Sequence, residues 1–354
     1  MNNTGTRATI AVVAKFTNSI AIWNCIKQHI DLMLSSGNNI LIFVPAEESL
    51  EYIQENYRDK MVVFHSKKEL KSKAISNHID IIWYPTNVAM LQYGRPFKSC
   101  KVLLWIQGTD ADESWMRNHS KIRVMALNMI EKRVFNKADG LIYVSESMRD
   151  FFEKKYSRTF SNYAVIPCLS DFHDYKPHSE RIPESYVYIG GLSAWQCFDE
   201  IVELYSKVRS NKSIFHVITM DVENAKRIVS AKVTNPNDIT VYSIKDRTKI
   251  PDILSQFQYG FLIRKESPVN YVSSPIKFLE YISCGVDVIM TNAVPSYAKM
   301  VSENGIGTIV DVDSPKKIEI NKFSDKARFV YEKHFERKNF VEDYKKMIES
   351  ALKA

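Results

Sequence analysis

The residues best suited to chemistry concentrate in one stretch, Ser273-Ser274-Pro275-Ile276-Lys277-Phe278-Leu279-Glu280-Tyr281-Ile282-Ser283-Cys284-Gly285. Proline suits the first position of a helix and serine the cap before it, so the spacing predicts a helix from Pro275 with Ser274 as N-cap. Such a start presents free N–H groups to an anion. Lys277 and Glu280 are three residues apart and share one helical face. An amine suited to phosphate and a carboxylate suited to ribose hydroxyls would together hold a nucleoside diphosphate; a capped surface helix with an incidental ion pair uses the same residues. Gly190-Gly191-Leu192-Ser193 follows an apolar run. Glycines there let backbone N–H groups approach an anion, and the following helix adds its positive end. A plain strand-to-helix turn reads the same way.

A third candidate is Gln107-Gly108-Thr109-Asp110-Ala111-Asp112-Glu113, directly past the apolar run Val102–Ile106. Carboxylates beyond the end of a parallel strand are placed to meet a ligand, with Asp110 first and Glu113 behind it; a solvated acidic loop is the bland alternative. Other chemistries find no support. Neither G-x-G-x-x-G nor the P-loop pattern occurs, which disfavours a dinucleotide-dependent dehydrogenase and a P-loop NTPase. The 5 cysteines are scattered without a C-x-x-C, and the 8 histidines show no metal-ligand spacing. Neither a metal site nor a disulfide framework is expected, and a reducing cytoplasm fits.

Stepping along the 354 residues, short apolar runs alternate with helix-period segments. Thr9–Ala14, Ile40–Val44, Ile79–Tyr84, Val102–Ile106 and Gly140–Val144 read as parallel strands buried on both faces. Ala8–Ala14 ends at Lys15 with no cleavage site, so it is read as a first strand and not as a signal segment. Ser170 to Glu184 is polar, has prolines around it and lacks helical period, which marks a linker. A second series follows with Ser185–Ile189, Ile214–Thr219, Ile239–Tyr242, Gly260–Ile263 and Val286–Met290. The pattern predicts two doubly wound α/β domains with a cleft between them. The boundaries are 1–170 and 171–325, with 326–354 a terminal helix packing back on the first domain.

The stretch SPIKFLEYISCGVDVI resembles the nucleotide-binding helix of GT-B glycosyltransferases, especially the retaining family-four type (glycosyl transferases group 1). GGLSAWQCFDEIVELY is similar to the loop and helix that open their C-terminal domain. EKRVFNKADGLIYVSESMRDFF and NYAVIPCLSDFHDYKP are similar to a late N-terminal helix–strand pair and to the link between domains. These segments cover roughly residues 100–310 in the family's order; the first hundred residues match only in strand–helix pattern.

The resemblance implies two Rossmann-like domains facing each other across a cleft. It also implies transfer of a hexosyl or N-acetylhexosaminyl group from a UDP- or GDP-sugar, without cofactor or metal. The acceptor would be a glycan or a lipid-linked glycan in cell-surface polysaccharide synthesis. The donor residues it implies are Gly191, Ser193, Arg264, Ser274, Lys277 and Glu280, with Arg264 and Lys277 acting on the leaving diphosphate and Asp110 contacting sugar or acceptor. The sequence departs from the family at three points. Val272 stands where a first carboxylate is usual, and Trp195-Gln196 where a basic residue is usual, so Arg264, or Lys265 beside it, takes that role. Lys15-Phe16-Thr17-Asn18-Ser19 replaces a glycine-rich loop. A non-catalytic GT-B subunit that binds a partner enzyme or glycopeptide, or a nucleotide-sugar epimerase, stays open as an alternative.

Lys and Arg number 48 against 41 Asp and Glu, a formal charge of +7. No nucleic-acid motif accompanies that excess. From Arg117 to Lys137, six basic residues (Arg117, Lys121, Arg123, Lys132, Arg133 and Lys137) face one acid, Glu131, while Ile122, Met125, Ala126, Met129, Ile130 and Val134 recur at helical spacing. Such a helix lies on an anionic membrane surface or turns its stripe into a core. Lys67, Lys68, Lys71 and Lys73 form a second basic cluster. The resemblance favours peripheral association with the inner face of the cell membrane. Asp110-Ala111-Asp112 has the Asp-x-Asp spacing of a metal pair but sits on the first domain, opposite the diphosphate, so glycosyl transfer should survive EDTA. Full loss, restored by Mg²⁺ or Mn²⁺, would make that pair a metal site.

Overall fold

The computed structural model describes residues 7–15, 20–48, 53, 57–172, 175–312 and 319–354. The chain forms two compact units, Met1–Leu169 with Arg337–Ala354, and Ser170–Glu336. Phe16 to Ser19, singled out above, lie outside the described residues.

The first unit contains β1 (Thr9–Val13), β2 (Asn39–Pro45), β3 (Met61–Phe64), β4 (Ile81–Tyr84), β5 (Lys101–Ile106), β6 (Gly140–Tyr143) and β7 (Tyr163–Val165). They form one sheet in the order β3-β2-β1-β4-β5-β6-β7, with every pair parallel. The second unit repeats the plan with β8 (Ser185–Ile189), β9 (Ile214–Ile218), β10 (Ile239–Tyr242), β11 (Tyr259–Leu262), β12 (Asp287–Met290) and β13 (Gly307–Ile309). Their order is β10-β9-β8-β11-β12-β13, again all parallel. The central strands are buried end to end, which is why they read as unbroken apolar runs. The strands the sequence pattern did not mark are β3, β7 and β13. Each is short and lies at a sheet edge, where burial on both faces is not required.

Several helices differ from the expected boundaries for local reasons. The basic helix runs Lys121–Phe135, because His119 takes a left-handed conformation (φ 50) and the Ser120 side chain caps the new start. The acidic segment after β5 is the first turn of helix Asp110–Asn118, so Asp110, Asp112 and Glu113 sit where the helix dipole favours negative charge. The supposed linker is bound to the second unit: Arg181 donates to Ser255 and Cys284 carbonyls, and Tyr175 meets Ser255. The terminal stretch expected as one helix is two. Ala327–His334 packs on helix Ile276–Ser283 of the second unit, and only Val341–Lys353 returns to the first.

That returning helix buries Tyr344, Met347, Ile348 and Ala351 against helix Ile20–Ser35. At its centre Tyr344 Oη is hydrogen-bonded to His29 Nδ1 at 2.5 Å. His29 also packs on Trp105 and Trp83, with ring centroids 4.3 and 5.3 Å away. Burial pushes its imidazole down to about 3, so it is neutral in the folded chain. An unfolded histidine takes up a proton near 6.5, so below that pH the unfolded state binds more protons and stability falls as pH drops towards 3. His29→Phe should therefore flatten the dependence of urea-unfolding free energy on pH between 6.5 and 4. An unchanged slope would show that other groups set it.

Candidate functional site

In the second unit the chain runs outward from β8 through β9 to β10, then returns to the other side of β8 with β11. Ligands of open α/β sheets bind at such a reversal, outside the carboxyl ends of the strands. Here the two central strands part early. β8 and β11 pair only at Tyr186–Tyr259 and Val187–Gly260. The gap beyond is filled by Tyr281 of helix Ile276–Ser283, whose hydroxyl accepts from Ile189 N at 3.2 Å and donates to the Phe261 carbonyl at 3.3 Å. Gly260 makes room for it, because a Cβ there would stand 2.7 Å from the Tyr281 ring.

Tyr281 thereby fixes the helix one turn earlier, at Lys277. That side chain is buried beneath Gly190, where any Cβ would overlap the lysine's Cε and Nζ. Lys277 Nζ donates to Gln196 Oε1 at 2.6 Å and to Tyr188 Oη at 3.0 Å, and lies 4.2 Å from the Tyr188 ring centroid. Arg264, just past β11, is buried as well and donates to the Trp195 carbonyl at 2.7 Å. Its backbone is clasped by Thr291 Oγ1, while its Nε has no partner. Burial holds the Lys277 ammonium well below its usual range, with the Arg264 charge adding to the effect and Glu280 opposing it; burial also lowers Arg264. Among the described residues neither cation has a carboxylate ion-pair partner. A buried amine and guanidinium hydrogen-bonded only to neutral acceptors are the groups an approaching anion would stabilise in charged form. A cavity of about 560 Å³ opens at this edge, lined by Arg264, Lys265, Thr291, Asn292 and Asp311 among others.

Glu280, one turn beyond Lys277, has a different set of neighbours. Its Oε1 accepts from Arg247 Nη2 at 2.5 Å, and Arg247 also grips Asp171 through two bonds of 2.7 and 2.8 Å. Arg247 further lies over the Phe172 ring. The two carboxylates and their hydrogen bonds hold the guanidinium above its ordinary range despite burial.

The structure thus brings Lys277 and Arg264 together and sets Glu280 beside them. Gly191 and Ser193 lie exposed in the loop after β8, with the Gly191 carbonyl accepting from Tyr188. The glycine whose small size the packing needs is Gly190 (φ +137). Three local expectations are corrected. The helix behind the glycine loop runs Phe198–Val208 as its pattern indicates, but its first turn carries Asp199 and Glu200, so the positive end expected to face an anion already meets carboxylates. Ser274 is not the N-cap of helix Ile276–Ser283. Pro275 is, and the Ser274 hydroxyl bonds Tyr297 Oη at 2.7 Å. Lys265, at the rim of the same cavity, is exposed and ion-paired with Glu200, and leaves the buried position to Arg264. Residues unmarked by pattern complete the site: Tyr188, Gln196, Arg247 and Asp171. Gln196 occupies the very region where a basic residue was expected and turns an acceptor to Lys277 instead.

In the first unit, Asp110 opens its helix past β5 and accepts from Asn87 Nδ2 at 2.9 Å. Burial, and next the charge of Asp110, raise the Glu113 carboxyl. Among the described residues no three His, Cys, Asp or Glu side chains come together to hold a metal ion.

No protein-family model matches the sequence, and curated proteins give no match. Solved structures do. The chain is similar to the lipopolysaccharide outer core galactosyltransferase WaaB (TM-score 0.66, 12% identity, 96% of this chain and 99% of that one). It is similar to a glycosyltransferase from Rickettsia africae (0.64, 12%, 98% and 99%). It is also similar to an alpha-glucosyltransferase solved with UDP and DNA (0.59, 12%, 98% and 94%). The fold is that of the GT-B glycosyltransferases.

Removing Arg247 would take the cation from the buried Glu280. Arg247→Ala should therefore destabilise the second unit by about 1–3 kcal/mol, the cost of leaving the buried Glu280 carboxylate without this partner. Arg247→Lys should recover part of it. An unchanged urea-unfolding midpoint for Arg247→Ala would show that Glu280 needs no partner.

Proposed function

We propose that the chain transfers a sugar from a nucleoside diphosphate donor, UDP- or GDP-linked, to a glycan or lipid-linked acceptor, with retention and without a metal, in the building of a cell-surface polysaccharide. The observation that carries the reading is the pair of buried basic residues, Lys277 and Arg264, neither ion-paired to a carboxylate among the described residues, at the reversal of the second sheet. Negative charge grows on the diphosphate as the glycosidic bond breaks, and fixed cations already stripped of water stabilise it without reorganising. In this reading Lys277 and Arg264 take the leaving diphosphate, the Gly191–Ser193 loop and Ser274 line its path, and Glu280 accepts from ribose hydroxyls while keeping its bond to Arg247. Asp110 serves the sugar or acceptor from the first unit. The GT-B fold, shared with an alpha-glucosyltransferase solved with UDP, supports the donor class.

The protein is proposed to work in the cytoplasm, with helix Lys121–Phe135 resting on the inner face of the membrane. Among the described residues no helix is long and apolar enough to cross it. The stripe Ile122, Met125 and Met129, which a core would have claimed, is exposed.

The decisive experiment incubates the purified protein with a panel of nucleotide sugars and acceptor glycans and follows nucleoside diphosphate release. No release with any donor, alongside intact UDP binding, would favour a non-catalytic subunit. Glu280→Gln should weaken UDP or GDP binding by more than tenfold, since charge-assisted bonds to ribose contribute about 1.5–3 kcal/mol. Unchanged calorimetric affinity would remove Glu280 from the site. Lys277→Ala and Arg264→Ala should lower kcat more than they raise KM if they act on the leaving group.

A further inference from the structure

Helix Lys121–Phe135 carries a surface that glycosyl transfer does not use. Its rotation is set by Glu131, which is fully buried and accepts from Lys155 Nζ and Tyr156 Oη, both at 2.7 Å. A buried carboxylate requires such partners, so the opposite face of the helix is turned to solvent. That face bears Ile122 (78% exposed), Met125 (60%) and Met129 (61%). Arg133 stands one turn beyond Met129 on the same face.

Arg133 also lines a cavity of about 610 Å³ at the end of the sheet where β5 and β6 begin, opposite the end that holds Asp110. Lys67, Arg95 and Lys137 line it too, with a single carboxylate, Asp139. Arg95 and Asp139 neutralise each other at 2.8 Å, and the same Asp139 oxygen accepts from Val102 N. Among the described residues Lys67, Arg133 and Lys137 have no carboxylate partner. Two helices, Asn87–Tyr93 and Lys121–Phe135, end here, and each terminus supplies about half a negative charge. That is too little to balance three cations. Leu91, on the first of these helices and 40% exposed, adds an apolar wall to the cavity. A free inorganic anion would use the cations and leave the stripe bare; an amphiphile uses both.

We propose that this cavity takes the phosphate headgroup of an anionic bilayer lipid, while Ile122, Met125 and Met129 lie in the boundary of the acyl chains. The proposal rests on the membrane-surface reading above and narrows it from a charged face to a headgroup site. The test sediments the full chain with phosphatidylcholine vesicles, with and without phosphatidylglycerol. It compares Arg133→Glu/Lys137→Glu with Lys121→Glu/Lys132→Glu, which makes the same charge change on or beside the same helix but outside the cavity. Both pairs should keep the wild-type circular dichroism and thermal midpoint.

Binding should require phosphatidylglycerol, and the cavity pair should lose about tenfold more of it than the control pair, beyond what general surface charge explains. Met125→Ser/Met129→Ser should also weaken it. Equal losses in the two charge pairs would overturn the headgroup site while leaving the charged surface. A thermal shift from inorganic phosphate as large as that from short-chain phosphatidylglycerol would overturn the lipid as occupant. No sedimentation with either vesicle would overturn both readings.

Discussion

Lys277 and Arg264 are both buried in the second unit, and among the described residues neither forms an ion pair with a carboxylate. Removing an ammonium and a guanidinium from water costs several kcal/mol per ion unless neighbours replace the lost solvation. For Lys277 the replacements are Gln196, the Tyr188 hydroxyl and the Tyr188 ring; for Arg264, a single carbonyl, with Nε left unmatched. Gly190 is confined to glycine because the lysine occupies the space of its side chain. In the proposed function, an anionic ligand relieves the remaining deficit, so the same feature that costs stability would supply affinity and, with a diphosphate leaving group, rate.

This arrangement depends on keeping carboxylates away from the two cations. Glu280 is only three residues from Lys277, yet Arg247 draws its Oε1 into a separate ion pair shared with Asp171. Asp171 belongs to the segment that opens the second unit, so that segment acts as more than a tether. Lys265 is likewise diverted to Glu200. These two pairings leave Lys277 and Arg264 without an ion pair among the described residues, beside a cavity whose lining also includes Glu266 and Asp311. The wedge of Tyr281 between β8 and β11 makes the geometry possible, since it spreads the strands and satisfies the two backbone groups that their parting exposes.

The first unit applies the same sheet plan with a different centre. A neutral histidine among tryptophans receives the returning C-terminal helix, and a buried glutamate sets the rotation of the basic helix. In both cases one buried polar group decides how an amphipathic helix is seated. Apolar periodicity alone left that choice open for helix Lys121–Phe135, whose stripe suits a core as well as a surface.

Much of this was legible in the residues themselves. Continuous apolar runs of strand length between helices fit parallel strands covered on both faces, so the two α/β units followed from pattern. The ordered likeness of four segments pointed to GT-B, and Lys277 with Arg264 emerged from a motif and its missing basic residue. Short edge strands escaped because they need not be apolar throughout. Tyr188, Gln196, Arg247 and Asp171 escaped because their roles depend on contacts between residues 33 to 89 positions apart. The cap on helix Ile276–Ser283 was misread, as Ser274 found a better partner in Tyr297. Local chemistry determines which segments become strands and helices, because burial period and caps act over a few residues. Only the tertiary structure decides which charges are paired and which are left bare, because that depends on what the sheet brings next to them.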